Sequence, residues 1–294
     1  MANSLIPSPA MPGTVSSVQA RAVEEVALWY HTLELPGAIV TPGWFDLRGC
    51  LDKLPWPDVR GKRCLDVGTY DGFYAFELER RGAAEVIATD IPDHEDWDWP
   101  AAARAGGGEV LASLAGPKGH GFEVARAALG SSVEKRMISA YHLTPEAVGT
   151  FDVVVCGSLM LHLRDPVRAL ESIRSVCRGS FLSIEEVSLP LSAALPRHPV
   201  ADMRFDENRC QWWVANAAGY GRMVRIAGFE LATTVRPFCV PFGAAHPVCR
   251  DPGGARSARG LATATFRRLL TGGFGVPHAA LLARPRLQAP PVRL

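Results

Sequence analysis

Cys64-Leu65-Asp66-Val67-Gly68-Thr69-Tyr70-Asp71-Gly72-Phe73 is the stretch on which the reading of this chain turns. An apolar run ends in an acid, a turn with two glycines follows, and Phe73, Phe76 and Leu78 then recur at helical spacing. That order is a strand, a tight loop and a helix N-terminus, the opening of a nucleotide-binding α/β unit. Gly68 and Gly72 let the backbone pass close to a ligand without a Cβ in the way. Asp90 ends a second apolar run, Glu85-Val86-Ile87-Ala88-Thr89-Asp90, where an acid can hold two ribose hydroxyls through its two oxygens.

A dinucleotide fingerprint requires Gly-x-Gly-x-x-Gly, whereas this loop reads Gly-Thr-Tyr-Asp-Gly. With Tyr70 in the middle there is no nest for a pyrophosphate. The spacing Asp-x-Gly-x-x-x-Gly resembles motif I of the class I S-adenosylmethionine (SAM) methyltransferases, whose ligand carries no phosphate. The competing reading is an ordinary strand-turn-helix of an α/β domain.

The remaining chain supplies more alternation. Arg136 to Ala140 reads as a third strand and Phe151 to Cys156 as a buried one. A helix with Val167, Leu170, Ile173 and Cys177 inside is expected to close at Gly179. Ser180 to Glu186 reads as another strand ending in two acids, with Phe229 to Val235 and His278 to Ala283 as an antiparallel final pair. The expected fold is a doubly wound, mostly parallel α/β sheet with ligands gathered at the carboxyl ends of its strands. Gly68, Asp90, Tyr141, the run Cys156 to His162, and Glu185 then surround one crevice.

Upstream, residues 1–15 are rich in Pro and Ser and are expected to be disordered. Val23, Val26, Ala27, Tyr30 and Leu33 predict a helix over 17–34. Residues 34–46, full of breakers and aromatics, read as a shaped loop. The domain reading is a helix and substrate-side loop over 16–60, then a ligand-binding domain over 61–294 with an insertion around 190–211. Gln211 to Asn216 is expected to open a helix reaching Ala227, and 251–260 reads as a Gly/Arg/Ser loop. In the acidic turn Pro92 to Pro100 the acids read as exposed, and the tryptophans as either exposed or beside the pocket.

The 294 residues suffice for one large α/β domain and are 48% hydrophobic, ample for a core. A net charge of +1 offers no electrostatic reason to bind nucleic acid or an anionic membrane. The seven cysteines include no Cys-x-x-Cys pair, which argues against a disulfide framework or structural zinc and fits a reducing cytoplasm. The start carries no secretory pattern, and no apolar stretch is long enough to span a bilayer.

Further motifs narrow the family. Trp29-Tyr30-His31, Thr41 to Asp46, Leu65 to Phe73, Ala75 to Ala83, His162 to Pro166 and Trp212 to Asn216 together resemble the methyltransferases related to the enzyme that completes 5-oxyacetic acid on the tRNA wobble uridine. The resemblance runs over about residues 25–285 and implies a seven-stranded, Rossmann-like class I fold with an N-terminal helical lid. It implies SAM around Asp66, Gly68, Thr69 and Gly72, with Asp90 on the ribose, Tyr141 or His142 near adenine, and Cys156 beside them. The tRNA enzyme reads a carboxylated SAM with a lysine, a tyrosine and an arginine. Here Leu161 and His278 stand at the last two positions and no lysine precedes Lys53. A carboxylate left unpaired in a dry site is costly. Ordinary SAM and a small-molecule acceptor are therefore expected, with tRNA as the alternative and a non-catalytic SAM-binding protein as another.

Relatives of this type act on small metabolites, among them prenyl diphosphates methylated on an alkene carbon. For that chemistry Trp44, Phe45, Trp212 and Trp213 would supply aromatic faces for a cation. Glu185 or Glu186 would remove a proton, with Glu185 in the family position. An arginine, or His31 with a divalent metal such as Mg2+, would hold the diphosphate. On a helix Trp212 and Trp213 diverge, so at most one lines a pocket. His162 reads as a base or a structural hydrogen-bonder. Glu171 reads as part of a salt-bridge row with Arg168 and Arg174, or as a base.

Overall fold

A computed structural model of the chain describes residues 12–101, 118–203, 211–246, 269 and 273–286. Eight strands form the central sheet: β1 (Arg63–Val67), β2 (Glu85–Asp90), β3 (Glu134–Met137), β4 (Phe151–Gly157), β5 (Cys177–Glu186), β6 (Phe229–Thr234), β7 (Phe238–Pro241) and β8 (Gly275–Pro285). Their order is β6-β8-β5-β4-β1-β2-β3, with β7 also paired to β8. β1 to β5 are mutually parallel, and β8 runs antiparallel to β5, β6 and β7. The strand order reverses between β1 and β4, which opens a crevice above their carboxyl ends.

The period-two alternation of each strand divides the core into two layers. Cys64, Val153, Val155, Leu182, Ile184 and Ala280 pack with Trp29, Phe76 and Phe122. Leu65, Val67, Val154, Cys156, Phe181, Ala279 and Leu281 pack on the other face with Leu170 and Tyr220. Helices α2 (Phe73–Arg80) and α3 (His120–Leu129) serve the first layer, and α4 (Pro166–Val176) and α5 (Ala217–Ile226) the second.

Several boundaries differ from the sequence expectation. α1 spans Pro12–Glu24, so it starts before residue 17 and ends ten residues before 34. Beyond Val26 the chain pairs with its own return: Thr32 N donates to Phe45 O at 2.8 Å and Phe45 N to Tyr30 O at 2.9 Å. Residues 29–46 thus form a folded-back arm, held to the sheet where Asp46 N meets Pro241 O at 3.0 Å. β3 begins two residues earlier than expected. α4 stops at Val176, and Gly179 lies inside β5, where any Cβ would come within 2.2 Å of Asp152 O.

Trp213–Ala215 is a short strand paired with Ala201–Met203, not the start of a helix; α5 begins after Asn216, whose side chain caps Gly219 N. β7 was not expected at all. Within the insertion, Leu189–Ala194 is a short helix. Of residues 1–15, expected to be disordered, 12–15 belong to α1, and 1–11 lie outside the described residues, as do the loop at 251–260 and positions 204–210. Among the described residues no helix is long and apolar enough to cross a membrane.

Candidate active site

The loop after β1 is shaped by its own backbone. Gly68 has φ +76° and Gly72 φ +94°, conformations that favour glycine. The two differ in what they serve. Gly68 lines the crevice, whereas a Cβ on Gly72 would meet Phe76 Cε2 at 2.3 Å and Phe122 Cδ2 at 2.9 Å. Gly72 therefore permits α2 and α3 to pack behind the loop. Tyr70 also takes a left-handed φ of 51°, and its N–H donates to Asp90 Oδ2 at 2.9 Å.

The crevice has a volume of about 490 Å³, within the range of small-molecule sites. Gly68, Asp90, Tyr141, His142, His162 and His31 line it, as the strand-end argument anticipated for most of them. So do Tyr30, Asp96, Trp97, Asp98, Lys118 and Ser158. Two acids of the turn after β2 are therefore wall residues and not a purely solvated cluster. Asp98 accepts from the Tyr141 hydroxyl and from Arg164 N at 2.8 Å. Trp97 faces the crevice, and Trp99 is buried at 1% exposure. Lys118 pairs with Asp90 and lies 5.5 Å from the centre of the Tyr70 ring.

Other expected ligand residues stand behind the wall. Asp66 and Thr69 are buried, 1% and 2% exposed. Burial pushes the Asp66 carboxyl up to about 7. Cys156 is fully buried in the second core layer, because alternation gives the crevice Gly157 and turns Cys156 away.

A smaller cavity of about 40 Å³ adjoins the crevice. Tyr30, His31, Gly157, Ser158 and His162 border both. Phe45, Tyr74, Leu161, Glu186, Gln211 and His278 also line it, with Leu47, Val240 and Val276 as apolar wall. Here the expectation for the paired acids reverses. His278 and Glu186 are register partners on β8 and β5, on the face carrying the arm, so Glu186 meets the cavity. Glu185 points the other way. Its carboxylate accepts from Leu159 N at 3.1 Å and Met160 N at 3.2 Å, holding the loop that carries His162. Burial pushes Glu185 up to about 8.

His278 donates from Nδ1 to Val276 O at 3.0 Å, and its Nε2 then accepts from the Ser158 hydroxyl at 2.8 Å. Burial depresses the His278 imidazole to about 4, so it is neutral in this wall.

Glu171 is exposed on α4, and Arg174 donates to the carbonyls of Gly228 and Arg286. The site therefore excludes Glu171. Trp44, Trp212 and Trp213 line neither cavity. Just before the strand Trp212 donates from Nε1 to Asp98 O at 2.7 Å, and on it Trp213 donates to Leu163 O at 3.2 Å. Both brace the walls from behind.

The residue that sequence reasoning left without a role is Asp71. Its Oδ2 accepts from Tyr30 N and His31 N, each at 2.8 Å, and its Oδ1 meets His31 Nδ1. Lys118 was also unassigned, while Ser158, with φ +53°, fell within the run expected around the crevice but without a role of its own. The only sequence signal for Asp71 was its place in the loop after β1.

No group of three or more His, Cys, Asp or Glu suited to a metal occurs among the described residues. The acid-lined crevice suits a cationic, phosphate-free nucleoside. Asp90 borders the crevice with Oδ2 accepting from Tyr70 N at 2.9 Å and Oδ1 from Ile91 N at 2.8 Å and from Lys118, Gly68 allows close approach, and Ile91, Ile138 and Leu159 form apolar walls.

A methyltransferase-domain family model matches residues 47–234. The chain is similar to the ubiquinone biosynthesis O-methyltransferase of Acinetobacter baylyi, 27% identical over 131 residues that make up 43% of this chain and 45% of that protein. It is 25% identical over 182 residues to the tRNA U34 carboxymethyltransferase of Pseudomonas paraeruginosa, covering 62% and 49% of the two. The chain thus spans about half the length of these curated relatives. Among solved structures, the N-terminal domain of EvdMO1 with SAH bound superposes with a TM-score of 0.50 at 15% identity, over 94% of this chain and 98% of that one. At that identity the likeness speaks to the fold alone.

Proposed function

The chain belongs to the methyltransferase-domain family, and on that premise we propose that it transfers the methyl group of S-adenosylmethionine to a small acceptor seated in the second cavity. The observation that carries this reading is the pair of adjoining cavities sharing Tyr30, His31, Gly157, Ser158 and His162. The larger one is acid-lined and holds the donor; the smaller admits the reacting end of the acceptor.

The donor supplies an electrophilic methyl on a sulfonium. Asp90 would hold its ribose, with Lys118 shifting or sharing the carboxylate, and Tyr141 and His142 would flank its base. The acids Asp96 and Asp98 favour its positive charge. The protein's own contribution is to hold donor and acceptor at attack distance and to exclude water. Leu161 and the neutral His278 in the second cavity offer no cation to a carboxylated donor, which favours ordinary SAM.

The acceptor's reacting end is better uncharged than anionic. The described lining of the second cavity carries Glu186 and three histidines but no lysine or arginine, so a prenyl diphosphate would have to keep its diphosphate outside it. Methylation of a prenyl alkene carbon is therefore the less favoured acceptor chemistry. No surface charge argument favours tRNA at a net charge of +1.

The test is a panel of phenols, alcohols, amines, geranyl diphosphate and unmodified tRNA incubated with methyl-labelled SAM, with and without magnesium. Label on a small neutral acceptor, with stoichiometric S-adenosylhomocysteine, is the expected outcome. Label on tRNA or only on the diphosphate would overturn the acceptor reading. Binding of SAM with no turnover on any acceptor would favour a non-catalytic role.

A further inference from the structure

We infer that His31 and Asp71 form a general-base dyad, and that the acceptor therefore presents a hydroxyl to be methylated on oxygen. This rests on the methyl-transfer reading above and goes beyond it by naming the base and the acceptor class.

The geometry is specific. Asp71 is 1% exposed and uses one oxygen to accept both Tyr30 N and His31 N, which locks the arm to the loop after β1. Its other oxygen meets His31 Nδ1. Among the described residues that is the hydrogen bond the His31 ring makes. A carboxylate at Nδ1 makes that nitrogen the donor, so Nε2 carries the lone pair. His31 borders both cavities, where the reacting atoms of donor and acceptor would meet. Tyr30, Phe73 and Tyr74 confine the ring, with ring centroids 5.0, 5.5 and 6.4 Å away.

The other histidine in the cavity with a defined role is already committed, since His278 Nε2 accepts from Ser158. Asp71 beside the ring and Glu186 across the cavity both favour the imidazolium that forms. Tyr30 and Tyr74 also face the ring, and His162, from the loop after β4, borders the same two cavities. An alkene, or an amine that is already unprotonated, carries a free electron pair and needs no such base before attack, whereas a neutral alcohol or phenol does.

In the step, the acceptor O–H proton passes to His31 Nε2 as the oxygen lone pair forms the new O–CH3 bond. The S–CH3 bond breaks with its electron pair left on sulfur. The products are the methyl ether, S-adenosylhomocysteine and His31 imidazolium paired with Asp71, which returns its proton to water.

The experiment compares wild type with His31→Asn, which keeps a donor toward Asp71 but has no base. Each is assayed at about pH 8 on phenol, which stays protonated there, and on 4-nitrophenol, which is then mostly ionised. The dyad predicts a kcat loss of about 10²- to 10⁴-fold on phenol. It predicts a loss of less than about tenfold on 4-nitrophenol, with S-adenosylhomocysteine affinity within about threefold by calorimetry, because no proton then needs a base. Equal losses on both phenols would overturn the dyad, as would full activity of the variant or methyl transfer only to carbon or nitrogen.

A second readout needs no turnover. Nitrogen-15 spectra of the histidines, with His31→Asn identifying the signal, report the tautomer at about pH 8, where an ordinary imidazole is neutral. The Nδ1–H form in wild type, lost in Asp71→Asn, is expected. The Nε2–H form would overturn the dyad even if no phenol is a substrate. A protein that shows the Nδ1–H form yet labels neither phenol nor any alcohol of the panel would overturn the hydroxyl acceptor.

Discussion

Glu185 is a carboxyl set in a buried wall, where it accepts two main-chain N–H groups from the loop that carries His162. Its folded-state value of about 8 lies above the usual carboxylate range, so the native protein binds this proton more tightly than the unfolded chain does. The stability it contributes is complete below about pH 4.5 and is lost as pH rises toward 8. Glu185→Gln cannot ionise. Thermal melts across that range should show wild type losing on the order of 3 kcal/mol more than the variant. Superimposable profiles would contradict this. Asp66 contributes a similar fall up to about pH 7 in both proteins, and so drops out of the difference.

At this scale the sequence was readable where function follows strand position. Gly68, Asp90, Tyr141 and His162 sit at strand ends, and parallel topology brings strand ends together. It was unreadable where a side chain's partner comes from far along the chain. Asp71 looked like loop filler because its partners Tyr30 and His31 lie 41 and 40 positions upstream, on an arm whose path is set by contacts with β7. Glu185 and Glu186 were correctly placed on opposite faces, but which face held the cavity depended on that same arm.

At the scale of elements, Asn216 is the clearest case. It is fully buried, and its Oδ1 accepts from Gly219 N at 2.7 Å and Val200 N at 3.2 Å. Its Nδ2 donates to Leu195 O and His198 O, each at 2.8 Å. One side chain thus caps α5 and ties the insertion to it. Asn216→Ala removes the cap and leaves main-chain groups unpaired, at a cost of about 3 kcal/mol. Urea denaturation with an unchanged slope should show it; a loss under about 1 kcal/mol would mean the insertion is not coupled to α5. The apolar pattern before Asn216 suggested a helix because Trp212 and Trp213 fit either period. Pairing of Trp213–Ala215 with Ala201–Met203 decides for a strand, and that pairing is non-local. β7 escaped notice for a related reason: four residues cannot display a period, and β7 exists by pairing with the start of β8.

For the whole molecule, a doubly wound, mostly parallel sheet was anticipated from alternating strands and helices; its order, the switch between β1 and β4 and the eighth strand, β7, come from the structure. Residues 16–60 were expected to supply a helical lid and a substrate-side loop; instead the arm over residues 29–46 gives Tyr30 and His31 to both cavities and Phe45 to the smaller one. It makes the donor crevice and the acceptor cavity a single unit, so donor binding should stabilise the entire fold. At a ligand concentration of about 100 Kd the gain is about 2.7 kcal/mol.

The central claim is that the crevice above β1 and β2 receives a sulfonium nucleoside held by Asp90. Calorimetric titration of S-adenosylhomocysteine into wild type and Asp90→Ala tests it most directly. The account predicts saturable binding at one site, weakened by about 10- to 100-fold in the variant. No heat from wild type, or equal affinity in the two proteins, would contradict it.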